Sequence, residues 1–76
     1  MDNYMKQTYI HGYKVKYEDN AYSGVDYLKN DLDSKEASVF FNEARRRSQA
    51  PFEDDDDRDF ILSRNSDGSY YLRKKS

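Results

Sequence analysis

The chain has 76 residues, 36% of them hydrophobic and 37% charged, with a net charge of −2 at neutral pH and no cysteine. That size allows one domain with a thin core, and the lack of cysteine excludes disulfides and thiolate metal sites. Slight acidity argues against a general affinity for nucleic acid or anionic lipid, while eight tyrosines and four phenylalanines argue against a disordered chain.

The opening MDNYMKQTYI has no basic-then-apolar signal pattern. No apolar run approaches the ~18 residues of a membrane span. A cytoplasmic protein without membrane contact is expected, forming a single domain over 1–76 with residues 1–6 and 74–76 frayed. Residues 7–18, QTYIHGYKVKYE, alternate, with Tyr9, His11, Tyr13, Val15 and Tyr17 on one face and Ile10, Gly12, Lys14 and Lys16 on the other. Aromatic and β-branched residues at that period predict one half-buried strand, with Gly12 marking a bulge or a close backbone approach. EDNA then supplies a turn. Residues 22–32 support two readings. Val25 and Tyr27 fit a short returning strand, whereas Val25, Leu28 and Leu32 fit a helix capped by Ser23 with Asp26 at its third position.

Asp33 and Glu36 form a D-x-x-E capping box, and Ala37, Phe40, Phe41, Ala44 and Ser48 follow on one helical stripe. Glu36 in the first turn and Arg45, Arg46 and Arg47 in the last suit the helix dipole. Pro51 ends any continuation, so the spacing predicts a helix over 34–49. The C-terminal stretch predicts a hairpin. NSDG fits a type I turn with Gly68 left-handed, a three-residue loop with a bulge. That register pairs Leu62 with Leu72 and Arg64 with Tyr70. It turns Phe60, Leu62, Tyr70 and Leu72 toward the helix, and Ile61, Ser63, Tyr71 and Arg73 away. The expected fold class is α+β: a small antiparallel sheet, of an N-terminal strand plus a C-terminal β-hairpin, packed on one main α-helix. Phe40, Phe41, Phe60, Leu62 and Leu72 should centre the core, with Val15 and Tyr13 contributing.

The chemistry concentrates in the run at 53–59, where Glu53, Asp54, Asp55, Asp56, Asp57 and Asp59 surround a single Arg58. Asp55, Asp57 and Asp59 have the spacing of the first calcium-loop ligands. An EF-hand nevertheless fails, with Phe60 where the turn needs glycine and Ser66 where a bidentate glutamate is needed. As an acid–base pair, adjacent aspartates in an extended loop should point apart and stay hydrated. His11 is the one histidine, which leaves zinc chemistry and histidine-assisted nucleophiles without partners. Gly12, Gly24 and Gly68 are isolated and make no phosphate loop. A non-enzyme with no catalytic residue, metal or cofactor is expected.

Carboxylates this dense can present a potential like that of phosphates and occupy the basic groove of a nucleic-acid-binding protein. Tyr9, Tyr13 and Tyr17 would serve as anchors beside them. Neutralising Asp54, Asp55, Asp56 and Asp57 should then weaken binding with little loss of folding. The plainer reading is a solvated loop that keeps the chain soluble and guards a sheet edge. The rival reading is a nucleic-acid binder using Arg45, Arg46, Arg47, Arg73, Lys74 and Lys75, with Lys14 and Lys16 on one side and tyrosines stacking on bases. The basic residues also lie close enough in sequence to pair with the acidic run. A third reading is self-association, a homodimer through the tyrosine face. In size, acidity and missing catalytic motifs the chain is similar to the small acidic α+β inhibitors that phages and mobile elements encode against host nucleases, anti-CRISPR proteins among them. That resemblance implies an inhibitor acting in the host cytoplasm on a basic, nucleic-acid-handling protein, and it brings no residue-by-residue correspondence.

Overall fold

The computed structural model describes residues 5–75. Of the ends expected to fray, residues 1–4 and 76 lie outside the described residues, whereas Lys6 and Lys74 belong to strands. The predicted single strand over 7–18 is instead two antiparallel strands, β1 (Lys6–Ile10) and β2 (Tyr13–Tyr17). His11 and Gly12 turn the chain between them, with φ of 50° and 90°. Positive φ at both central residues matches the twist of a two-residue hairpin. Ile10 then pairs directly with Tyr13, and Thr8 with Val15. Thr8 and Ile10 therefore join Tyr13, Val15 and Tyr17 on the inner face, and Tyr9 is carried to the outer one. His11 closes the turn against the helical layer, its Nε2 lying 3.0 Å from the Leu28 carbonyl and 3.1 Å from that of Leu32. A ring nitrogen facing two carbonyls must carry the proton, so His11 donates to groups left over at a helix end.

Residues 22–31 are helical and Leu32 leaves the helix extended, which settles the two readings offered by the pattern over 22–32. A 3₁₀ turn (Asp19–Ala21), where the sequence suggested a plain turn, leads into α1 (Tyr22–Asp26) and a wider π turn (Tyr27–Asp31). Ala21, Gly24, Val25 and Leu28 form its buried stripe at i, i+3, i+4 and i+7. Ser23 is not the cap, because the segment is already helical before it. The next helix, α2 (Ser34–Arg47), carries the full capping box. The Glu36 N–H donates to Asp33 Oδ1 at 2.8 Å, and the Asp33 N–H donates to Glu36 Oε1 at 3.0 Å. It stops two residues earlier than predicted, where Ser48 turns left-handed at φ 75°.

Pro51 is a strand residue and not the stop. Gln49–Glu53 forms β3, an edge strand antiparallel to β4 (Asp59–Arg64), with Ala50 and Phe52 buried and Gln49, Pro51 and Glu53 outward. An edge position tolerates a residue without an N–H. β4 pairs with β5 (Tyr70–Lys74) in the predicted register, Leu62 opposite Leu72 and Arg64 opposite Tyr70. The sheet is open, in order β1-β2-β5-β4-β3, and β2 runs parallel to β5, so it is mixed where an antiparallel one was expected. The fold is nonetheless the expected small α+β type. All the buried sheet side chains lie on the face that the helices cover. Phe41, Phe60, Leu62, Leu72 and Val15 are fully buried as predicted, while Phe40 and Tyr13 pack at the margin. Ile10, Val25, Leu28 and Phe52 enlarge the core beyond the residues expected to centre it. Aromatic rings supply much of its volume. Tyr13 stacks on Phe41 at 4.1 Å, and Tyr70 meets both edge-on.

Candidate functional site

The acidic run is the connection between β3 and β4, and it is not an extended loop. The Asp54 N–H donates to the Arg58 carbonyl at 3.0 Å, the Asp57 N–H donates to the Asp54 carbonyl at 3.2 Å, and Asp57 is left-handed at φ 63°. The loop from β4 to β5 repeats this geometry, with Asn65 N–H to Ser69 O at 2.8 Å, Gly68 N–H to Asn65 O at 3.1 Å, and Gly68 at φ 91°. Both are type I turns followed by a left-handed residue. Asp57 holds the place that glycine holds in the second.

Asp54 is buried within this turn, contrary to the expectation that the whole run stays hydrated. Its Oδ1 accepts the N–H groups of Asp56 at 3.0 Å and Arg58 at 2.9 Å, and its Oδ2 accepts Arg58 Nε at 2.8 Å. Burial by itself raises the proton affinity of this carboxyl. The bonds from the Arg58 backbone and guanidinium and from Asp56 outweigh it and hold the carboxyl below its ordinary range. Arg58 reaches Asp56 Oδ2 as well, at 2.8 Å. The lone arginine is thus the loop's internal clamp. Glu53, Asp55, Asp57 and Asp59 remain exposed around it.

Carboxylates distant in sequence join this group. Asp31, exposed at the end of the π turn, has its proton affinity raised by local desolvation, by the neighbouring charge of Asp55, and by Asp26 and Asp54. The Tyr27 hydroxyl, whose ring stacks on Phe52 at 6.0 Å, is likewise raised by burial and then by Asp55, Asp31, Asp54 and Glu36. Three segments therefore converge on one acidic edge centred on Tyr27. The sequence carried no signal for this meeting, because it is made only by docking the π turn on β3. A raised carboxyl binds its proton more tightly folded than unfolded. Its stabilising contribution is complete below the ordinary value of 3.8 and is lost as pH rises through the folded value. Asp31→Asn should therefore raise the urea midpoint at pH 7 and bring no gain at pH 3.

Below the loop, Glu53 lies directly opposite Asp59 across the β3–β4 ladder. Pro51, Phe52, Glu53, Asp59, Phe60 and Lys75 line a shallow cleft of about 280 Å³ there. Among the described residues, no three histidine, aspartate or glutamate side chains are arranged to hold a metal ion. No described helix is long and apolar enough to cross a membrane.

The other candidates are dispersed. Tyr13 stacks in the core margin, Tyr17 is buried, and Tyr9 is exposed on the opposite face, so the continuous tyrosine face read from the alternation does not form. Arg45, Arg46 and Arg47 are exposed in the last turn of α2, and Arg45 Nη2 donates to Asn42. Among the described residues they make no ion pair with the acidic run, whose partner is Arg58. Ser48, just past them, accepts the Arg64 N–H, while Lys75 donates its N–H to the Asp59 carbonyl. These two basic groups sit at opposite ends of β4, about 17 Å apart at a strand's rise. Arg73 is on the outer face, and Lys74 is half-exposed on the inner one. Comparisons with protein-family models, curated proteins and solved structures return no match.

Proposed function

We propose that the protein is a small non-enzymatic binding module that presents its acidic edge to a basic partner protein. The observation that carries this reading is the gathering of Asp31, Glu36, Asp54 and Asp55 around Tyr27, whose ring stacks on Phe52 beside the acidic run. Among the described residues, Arg58 is the one cation within salt-bridge distance of any of them. A loop serving only solubility has no need to recruit carboxylates from two other segments against their own repulsion. Glu53 facing Asp59 is a like-charge cross-strand pair, which is unfavourable in isolation. A cation from outside reverses that sign. In the cleft between them, the exposed Pro51 ring on the same face offers an apolar flank for the stem of an incoming lysine or arginine, and the two carboxylates meet its head.

The chemistry complementary to this edge is a groove lined with lysine and arginine, such as a nucleic-acid-handling protein uses for phosphates. Occupying such a groove excludes nucleic acid, which makes the protein an inhibitor by mimicry. Long-range attraction accelerates the encounter and weakens with salt. The test is affinity capture from nuclease-treated lysate with the natural chain and with Asp55→Asn/Asp57→Asn/Asp59→Asn, which leaves the Asp54 clamp intact. A basic protein held by the natural chain should be retained at least tenfold less by the variant, whose unfolding midpoint stays within experimental error or rises. Equal retention by both chains overturns the proposal.

A further inference from the structure

The opposite face of the sheet is a second surface with inverted charge. α1 and α2 both pack on the inner face, and no element of the described chain covers the outer one. On β1, β2 and β5 the outward positions are Gln7, Tyr9, Lys14, Lys16, Tyr71 and Arg73. The ladder sets Tyr9 beside Lys14 and Tyr71 beside Lys16, so each ring has an ammonium neighbour. Tyr9 is 58% exposed, far more than a ring needs for closing a core. Two carboxylates approach this area, and each is engaged. Glu18 lies close enough to the Tyr71 hydroxyl to raise its proton affinity, and Asp67 accepts from Ser69 and lies 3.9 Å from Lys16. The acidic edge belongs to the helical layer and to the far β3–β4 corner.

We propose that this open face binds single-stranded nucleic acid, with Tyr9 and Tyr71 stacking on bases and Lys14, Lys16 and Arg73 meeting phosphates. Tyr9 and Tyr71 are two strands and two residues apart, about 12 Å by ladder spacings, so each takes its own base. Flat rings beside cations suit a single strand, whose bases are unstacked and free, more than a duplex, whose bases are enclosed. Charge complementarity favours this occupant over a second copy, whose matching face would bring Lys14, Lys16 and Arg73 against themselves. The proposal does not rest on the acidic edge and stands or falls separately.

The experiment is fluorescence anisotropy with labelled 12-nucleotide oligo(U) and oligo(dT), and a duplex control, at low and moderate salt. The natural chain should bind the single strands and not the duplex. Tyr9→Thr/Tyr71→Thr should weaken binding roughly tenfold or more. Lys14→Gln/Lys16→Gln should weaken it and flatten the log–log salt slope by about 1.4. Arg45→Gln/Arg46→Gln/Arg47→Gln should leave it nearly unchanged. Amide shift mapping on the natural chain removes any dependence on how the variants fold, and perturbations must cluster on β1, β2 and β5. No single-strand binding at low salt, equal duplex binding, or loss only in the arginine variant overturns the proposal. So does sedimentation showing a dimer that Tyr71→Thr dissociates while no oligonucleotide binds, which assigns the face to a second copy.

Discussion

Replacing Gly24 with valine is expected to lower the unfolding free energy by about 3 kcal/mol, a large share of what a domain of this size holds. Helix propensity alone points the other way, since glycine in a helix is worse than alanine by about 1 kcal/mol. Packing decides the sign. A Cβ at position 24 would lie 2.8 Å from Phe60 Cδ1 and 3.0 Å from Cγ and Cε1. Phe60 is fully buried, with Phe52 stacked on it at 5.4 Å, so the ring has nowhere to withdraw. Gly24→Ala should cost about 1 kcal/mol, the clash partly offset by propensity. Combining either change with Phe60→Leu should recover part of the loss, a coupling of about 1 kcal/mol or more in a double-mutant cycle. Urea denaturation of the four chains of each cycle checks this. A stabilised Gly24→Ala would show that α1 does not approach β4 this closely.

That contact belongs to the part of the molecule a linear pattern does not carry. α2 was legible because its signals are local: Asp33 and Glu36 bond to each other's backbone three residues apart, and the apolar stripe repeats within one element. The β4–β5 register was legible for a similar reason. Gly68 and Asp67 dictate the loop, and the loop dictates which residues face each other. The N-terminal hairpin was hidden by its turn. His11-Gly12 is not one of the usual Asn-Gly or Asp-Gly signals, and Tyr9, His11, Tyr13 continue an unbroken alternation through it. A two-residue turn nevertheless reverses the chain and sends Tyr9 and Tyr13 to opposite faces. His11 tolerates the left-handed position while its ring ties the turn to the Leu28 and Leu32 carbonyls, a tertiary bond no spacing predicts. β3 was hidden by Pro51, read as a stop although Ala50 and Phe52 alternate around it. The acidic edge was half legible. The density at 53–59 was plain, but the approach of Asp31 follows from the docking of a π turn. The buried member of the run did have a signal. DDDDR aligns with NSDGS, an Asx residue opening each turn and a left-handed residue in the fourth place.

That buried member gives the second large effect. Asp54→Ala should destabilise the protein by about 2–3 kcal/mol, because two backbone N–H groups and the Arg58 guanidinium lose their acceptor at once. Asp54→Asn separates the contributions. It keeps an oxygen for the Asp56 and Arg58 N–H groups and removes the charge. Arg58 is 41% exposed, so the ion pair is screened by water and should account for no more than about 1 kcal/mol. The ranking Ala well below Asn, and Asn slightly below the natural chain, identifies the carboxylate as a turn-former first and a charge second. The pH dependence has a definite sign. Asp54's folded proton affinity is depressed, so its stabilisation is present above the ordinary carboxylate value of 3.8 and is lost as pH falls through the lower folded value. The gap between the natural chain and Asp54→Ala should therefore be full at pH 6 and narrow toward pH 2. Asp55→Ala, one residue along and exposed, should show no comparable loss at pH 6. If the two alanine variants unfold alike, Asp54 is not the clamp. For recognition, the consequence is that Asp54 shapes the edge that its neighbours charge. A variant that neutralises it would lose binding through a collapsed loop, and such a loss says nothing about electrostatic attraction. The neutralisation of all four residues 54–57, which the sequence favoured as harmless to folding, confounds the two, and only substitutions that spare Asp54 distinguish a recognised charge from a recognised shape.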